Sequence, residues 1–127
     1  MTAVRTDRGN AAVEFVAIVP LLFLVGLTVL QLAMLAHAKS IVSAAATESA
    51  RAAAVSVPAG RAARQTAASI VADGLGGLPL TDFALSRGEV AGAAVLTVHV
   101  EVRPRLALVP DLAVVSGTGH ALVEGAP

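Results

Sequence analysis

The stretch FVAIVPLLFLVGLTVLQLAMLA, Phe15 to Ala36, contains no charged residue and decides the fold of the N-terminal part of the chain. As a helix rising about 1.5 Å per residue it reaches about 33 Å, enough for a hydrocarbon layer of roughly 30 Å. Its strongly polar side chains, Thr28 and Gln31, can hydrogen-bond to the helix backbone or to a neighbouring helix. Pro20 cannot donate a hydrogen bond to the carbonyl of Val16, so we expect a bend near the first turns. The stretch therefore predicts a transmembrane helix.

The residues that flank this stretch indicate its orientation. Before it, Arg5, Arg8 and the amino terminus outweigh Asp7, which favours a cytoplasmic N-terminus. A cleavable secretory signal is the alternative, because Ala36-His37-Ala38 resembles a small-residue cleavage site. The apolar run is longer than the ~7 to 15 residues of such signals, so a membrane-spanning segment is preferred. His37 is then expected at the outer membrane–water boundary.

Composition limits the rest of the chain to one small domain. The protein has 127 residues, and Lys plus Arg equals Asp plus Glu at 9 each, so no net field attracts nucleic acid. There is no Cys, Trp or Tyr, which excludes disulfides and thiolate metal sites and leaves few large side chains for a core. We therefore expect a domain that depends on neighbouring molecules for part of its stability.

The first helix is expected to continue beyond the membrane. After Lys39 the chain contains neither Gly nor Pro until Pro58 and is rich in alanine, which favours helix. Glu48 and Arg51 are spaced to pair on the helix surface, an interaction worth well under ~1 kcal/mol. Alanines spaced by four would let another helix or a sheet approach closely: Ala46, Ala50 and Ala54.

A shorter second helix is predicted from Arg61 to Asp73, because Pro58-Ala59-Gly60 ends the first one. Its small and apolar side chains form one stripe: Ala63, Thr66, Ala67, Ile70 and Val71. Glycines then follow at Gly74, Gly76 and Gly77. Because they come after a helix and not before one, we interpret them as a C-cap and loop and not as a phosphate-binding loop.

The C-terminal third has the pattern of β-structure. In AVLTVHVEVR, Ala94 to Arg103, apolar and polar side chains alternate as in a strand with one buried face. TDFALSR, Thr81 to Arg87, can pair with it through the turn-like RGEVAG, and TGHALVE, Thr118 to Glu124, is a third candidate. PRLALVPDL, Pro104 to Leu112, is bounded by a proline and interrupted by another, which disfavours a central strand. A small antiparallel sheet packed on the outer half of the long helix would bury both apolar faces.

Together these elements predict an α+β protein. It has a long N-terminal helix whose first half spans the membrane, a short second helix and a small antiparallel β-sheet. The expected segments are a cytoplasmic leader at 1–9, a transmembrane helix at 10–38, an extracytoplasmic continuation of that helix at 39–57 and a small α+β domain at 58–127.

Glu14 is unexpected at the start of the apolar run, because a carboxylate is among the costliest groups to place in hydrocarbon. A cut after Gly9 would make Asn10 the new N-terminus and put Glu14 in the first helical turn. The helix dipole there favours a carboxylate by ~0.3 to 1 kcal/mol. The amine of its own chain or of a neighbouring subunit would pair with Glu14, and the second arrangement would fix the register between stacked helices. An acid at a helix start, stabilised by the dipole alone, is the alternative.

RGNAAVEF, with Gly9 before the cut and Glu14-Phe15 at the fifth and sixth positions after it, resembles the processing site of type IVb prepilins. The continuation VAIVPLLFLV, with Pro20, resembles TadE-like pseudopilins. AATESARAAA, Ala45 to Ala54, is similar to the segment that follows the membrane helix in that family. It matches at Glu48, Ala50 and Arg51 and departs at Thr47 and Ser49.

The resemblance implies a pilin-like fold and a minor pilin or pseudopilin of a tight-adherence (Flp-type) pilus or related secretion system. Such a subunit is inserted with its N-terminus in the cytoplasm, trimmed by a membrane-embedded aspartyl prepilin peptidase, and joins or primes a filament. Gly9 would be required because the peptidase accepts an extended backbone without a side chain there. Glu14 would be required because recognition by the peptidase or assembly of the filament depends on its charge. The implied partners are the lipid bilayer, the peptidase, other pilin subunits and the pilus assembly machinery.

No enzyme, cofactor or metal site is expected. The sequence has no Ser-His-Asp signature, Walker-type loop or dinucleotide fingerprint. His99 and Glu101 point the same way on the predicted strand, with His120 as a third ligand if the strands are neighbours, but no zinc-type spacing supports a metal site. Two classes of function remain open: a processed filament subunit, or a binding module that is either anchored by one span or secreted after release near Ala38.

Overall fold

The computed structural model describes residues 3–105 and 113–124, with side chains from residue 9 onward. Two helices precede three strands: α1 (Ala3–Val55), α2 (Ala59–Gly74), β1 (Asp82–Val90), β2 (Ala93–Val102) and β3 (Val115–Leu122). The strands form one antiparallel sheet in the order β1-β2-β3. The predicted α+β class is therefore confirmed. Of PRLALVPDL, residues 106–112 lie outside the described residues.

The chain divides into two compact units, Met1–Ala33 and Met34–Pro127. The first unit consists of the N-terminal part of α1, which continues through both Gly9 and Pro20. Its apolar side chains are exposed, for example Phe23 at 73%. Thr28 donates a hydrogen bond from Oγ1 to the carbonyl of Leu24, 2.8 Å away, so its polar group is satisfied by the helix backbone as expected. A bend at Pro20 stays a prediction.

In the second unit, the C-terminal part of α1 buries one face. The predicted continuation of the helix beyond Lys39 is confirmed, and α1 ends at Val55. Its buried side chains are spaced by three or four residues: Ala38, Val42, Ala45, Ala46, Ser49, Ala50 and Ala53. Ala54, predicted on this face, is only partly buried. A strict spacing of four rotates by about 40° at each step, because a helical turn has only 3.6 residues.

The sheet packs on this face of α1 at very short range. β3 contributes Gly117 and Gly119, which lie directly over the helix backbone. A Cβ atom at Gly117 would meet the carbonyl oxygen of Val42 at 2.9 Å, and one at Gly119 would overlap the peptide between Ala46 and Thr47. The small side chains of α1 and the glycines of β3 together allow this approach.

The rest of the core comes from β2 and α2. The predicted alternation of β2 is confirmed: Leu96, Val98, Val100 and Val102 are buried. They join the buried residues of α1 in one apolar cluster, which also includes Ala63, Ala67 and Val71 of α2. Thr66 and Ile70 lie at the edge of that stripe and are half-buried.

α2 is slightly longer than expected. It begins at Ala59, directly after Pro58, and ends at Gly74. A Cβ at Gly74 would lie 2.8 Å from the side chain of Ile41, so glycine is needed there for close packing. Gly76 and Gly77 follow in the loop with positive φ, in agreement with the predicted cap and loop.

The hairpin between β1 and β2 has a much tighter turn than the sequence indicated. RGEVAG was expected to form the turn, but its first four residues belong to β1 and pair with β2 as far as Val90 opposite Ala93. Only Ala91 and Gly92 form the connection, with φ of 52° and 82°. Positive φ at both central positions gives a two-residue turn whose twist matches the strands.

Candidate functional site

The residues predicted to form the processing site lie on consecutive turns of α1. Gly9 and Asn10 are exposed and helical. A Cβ at Gly9 would have no neighbour within 4 Å, so packing does not explain the glycine. Glycine in a helix is less stable than alanine by about 1 kcal/mol, which makes this point of α1 easier to unwind.

Glu14 and Phe15 are also exposed on α1, with 69% of Phe15 accessible. α1 begins at Ala3, about three turns before Glu14, so the carboxylate is not in the first turn of the full-length helix. The first turn of α1 contains no acidic residue. Stabilisation by the helix dipole alone, the alternative considered for Glu14, therefore does not apply to the uncut chain. Within the described side chains, Glu14 forms no ion pair.

α1 contains a segment that could cross a membrane. The candidate lies within Gly9–Val55, and none of its most apolar window is buried. An apolar core helix of a soluble protein would be mostly buried, so this explanation does not fit. A signal sequence near the N-terminus satisfies the same criteria of length and composition.

Glu48 and Arg51 form the surface ion pair that their spacing predicted. Arg51 Nη1 lies 2.7 Å from Glu48 Oε1, and both side chains are at least half exposed. Such a pair contributes little to stability. Nearby Ser49 is fully buried, and its hydroxyl donates to the carbonyl of Ala45, so a small side chain is required at this position.

Two basic side chains connect α1 to other elements of the second unit. Lys39 Nζ donates to the carbonyl of Ser116 at the start of β3. His37 Nε2 lies 3.3 Å from the carbonyl oxygen of Gly74 at the end of α2. Both are exposed, and both help to hold the sheet and α2 on the helix.

The outward face of the sheet, which is the face that does not pack on α1, carries a cluster of possible metal ligands. The sequence predicted only part of this cluster. Ligand atoms of Asp82, His99 and Glu101 lie within 4.8 Å of one another. His120, considered as a third ligand with His99 and Glu101, is not a member; its Nδ1 lies 3.0 Å from Thr97 Oγ1 instead. Asp82 was missed, because its place opposite Glu101 depends on the strand register.

The N-terminal residues also match the model of a known protein family. The family model described as TadE-like protein matches residues 9–51. This segment is TadE-like. The family expected from the sequence is thereby confirmed over those residues. A search of curated proteins found no match, and a search of solved structures found none either.

The TadE-like segment includes the predicted processing residues and the surface ion pair of α1. It starts at Gly9, contains Glu14, Phe15 and Pro20, and ends at Arg51, the cation of the surface ion pair. It therefore combines the apolar part of α1 with most of the face that packs on the sheet. Asp82, His99 and Glu101 lie outside it.

Proposed function

We propose that this protein is a TadE-like pseudopilin or minor pilin, a structural or assembly component of a tight-adherence (Flp-type) pilus or related secretion system. The observation that carries the proposal is the TadE-like match, which begins at Gly9 and contains Glu14 and most of the membrane-spanning candidate Gly9–Val55. The role is non-catalytic, and the enzyme of the system is its peptidase.

Processing after Gly9 would explain why a carboxylate is present at Glu14. In the uncut helix the carboxylate lies about three turns from the helix start, without a basic partner among the described side chains. Removal of residues 1–9 makes Asn10 the new N-terminus, one turn from Glu14 and on the same face. The free ammonium and the unpaired N–H groups of the new first turn then favour the carboxylate.

Gly9 supplies the weak point at which the helix opens for the peptidase. A peptidase acts on extended backbone, and α1 is helical at this position, so the helix has to unwind locally. The low helix propensity of glycine reduces the energy needed. The absence of a side chain lets the cleft of the peptidase close on the backbone.

The exposed apolar side chains of α1 support insertion in the cytoplasmic membrane, with the N-terminus inside and the second unit outside. Glu14 would lie at the edge of the bilayer, where an unpaired carboxylate is unfavourable, although by less than the roughly 3 kcal/mol that it costs at the bilayer centre. The ammonium of a neighbouring subunit offsets this cost only at one axial position, so the pair sets the register of assembly. The partners are then lipid, prepilin peptidase, other pilin subunits and the assembly machinery.

The structure disfavours secretion by a cut near Ala38. Ala38 is buried in the core of the second unit, within α1, and Leu35 packs against the same cluster. A cut after Ala38 would remove both side chains from that core. A single-span anchored binding module remains the other outcome, and it predicts an uncut N-terminus.

Gly9→Ala tests the proposal with Gly26→Ala as the matched control. A Cβ at either position has no neighbour within 4 Å, so neither variant disturbs the packing of the described residues. In cells that contain the peptidase, we expect Gly26→Ala to be processed to Asn10 and Gly9→Ala to accumulate uncut. Intact mass of the purified chain measures the processed fraction. Equal processing of both variants would contradict the proposal.

A further inference from the structure

We propose that the outward face of the sheet binds a divalent transition-metal ion of the Zn²⁺ type, through Asp82, His99 and Glu101. The proposal concerns residues outside the TadE-like segment and does not depend on the function proposed above. It replaces the expectation from sequence that no metal is bound.

The strand register brings the three side chains together. Asp82 at the start of β1 lies directly opposite Glu101 of β2, and His99 lies two residues away from Glu101 on the same strand and face. One carboxylate oxygen from each acid and one ring nitrogen of His99 lie within 4.8 Å of one another. Ligands at ~2.1 Å from a tetrahedral Zn²⁺ are about 3.4 Å apart, a distance that small side-chain rotations supply.

His99 is held in place by a residue that is not a ligand. Its Nδ1 lies 3.3 Å from Thr118 Oγ1 on β3. The tautomer in which Nδ1 donates to this hydroxyl keeps the lone pair on Nε2, where a metal ion binds. Hydrogen bonds of this kind orient most histidine ligands of metal sites.

A bound cation would offset the repulsion between the carboxylates of Asp82 and Glu101. Like charges directly opposite each other on neighbouring strands are destabilising. Among the described side chains, neither Asp82 nor Glu101 forms an ion pair; the one ion pair found there joins Arg51 and Glu48 on α1. A divalent cation between them would convert this repulsion into attraction.

The ligand set selects the class of ion. Imidazole together with carboxylates suits Zn²⁺ and similar transition metals, whereas Mg²⁺ and Ca²⁺ prefer oxygen ligands alone. Three protein ligands leave further positions for water, since Asp82 is exposed. The ion would connect β1, an edge strand, to the central strand β2 in a domain that has no disulfide.

Titration of the purified full-length chain in detergent, without a histidine tag and after removal of metals by a chelator, tests the proposal. We expect calorimetry with Zn²⁺ to show a single saturable site per chain and no comparable site for Mg²⁺ or Ca²⁺. His99→Ala should weaken binding by about tenfold or more, and Thr118→Val by about tenfold through loss of orientation. Asp82→Asn and Glu101→Gln preserve size and should each weaken binding as well.

His120→Ala is the matched control, because His120 lies on the same sheet face, has its own threonine partner and stands outside the cluster. Its affinity should stay within about twofold of the unchanged chain, a difference well below 1 kcal/mol. Circular dichroism of each variant confirms that the fold is kept. The absence of saturable Zn²⁺ binding would overturn the proposal. So would binding that survives all three ligand substitutions, an equal loss in His120→Ala, or equal affinity for Mg²⁺ or Ca²⁺.

Discussion

At the scale of single residues, Glu14 is the charge whose role the proposed function has to explain. It lies on the exposed, apolar part of α1 and forms no ion pair among the described side chains. If it pairs with the N-terminus of a neighbouring subunit, its charge and not its size is required. The amide of glutamine has the same shape without the charge.

Glu14→Gln should therefore reduce the incorporation of the chain into assembled pili or pilus-associated complexes. We expect a decrease of about tenfold, equivalent to the loss of ~1.4 kcal/mol of association free energy. Glu89→Gln is the control, since Glu89 is an exposed acid on β1 outside the TadE-like segment. Immunoblots of the sheared surface fraction, normalised to total protein, measure the effect. Normal incorporation of Glu14→Gln would exclude the register argument.

Only part of the cluster formed by Asp82, His99 and Glu101 could be predicted from the sequence. Alternation in β2 was enough to put His99 and Glu101 on one face. Asp82 could not be found in this way, because it depends on the turn. A turn made of all six residues of RGEVAG would put Asp82 opposite Thr97, whereas the two-residue turn puts it opposite Glu101.

At the scale of elements, the central contact is the close approach of β3 to α1. The alanine-rich texture of α1 predicted that something would pack closely on it, and the segment TGHALVE was recognised as a strand. That Gly119 would lie against the peptide of Ala46 and Thr47 could not be predicted, because the pattern contains no information on which strand crosses which turn.

Gly119→Ala should destabilise the second unit by about 1 to 3 kcal/mol, because the new methyl group overlaps the helix backbone and forces β3 away. Gly88→Ala is the control in the same sheet, since a Cβ at Gly88 has no neighbour within 4 Å. Thermal unfolding of the full-length chain in detergent, followed by circular dichroism, should show a midpoint lower by roughly 5 °C or more for Gly119→Ala. Equal midpoints for the two variants would mean that the helix and β3 are not this close.

At the scale of the whole molecule, the chain combines a TadE-like segment with a sheet that the family match does not cover. The long helix, the second helix and the strands were predictable, because they follow from uninterrupted apolar or periodic patterns. The division into the units Met1–Ala33 and Met34–Pro127 was not, because the TadE-like pattern runs through that boundary without a change. Whether residues 1–9 remain attached distinguishes the proposed processed pseudopilin from an anchored binding module.

The N-terminal residue of the native protein tests this account most directly. The chain is purified from cells with and without an active prepilin peptidase, and its N-terminus is determined by Edman sequencing and intact mass. Processing after Gly9 predicts Asn10 as the first residue when the peptidase is active, and Met1 or Thr2 when it is absent. Met1 or Thr2 in both strains, or Lys39 in either, would contradict the proposal that this chain is a processed pseudopilin.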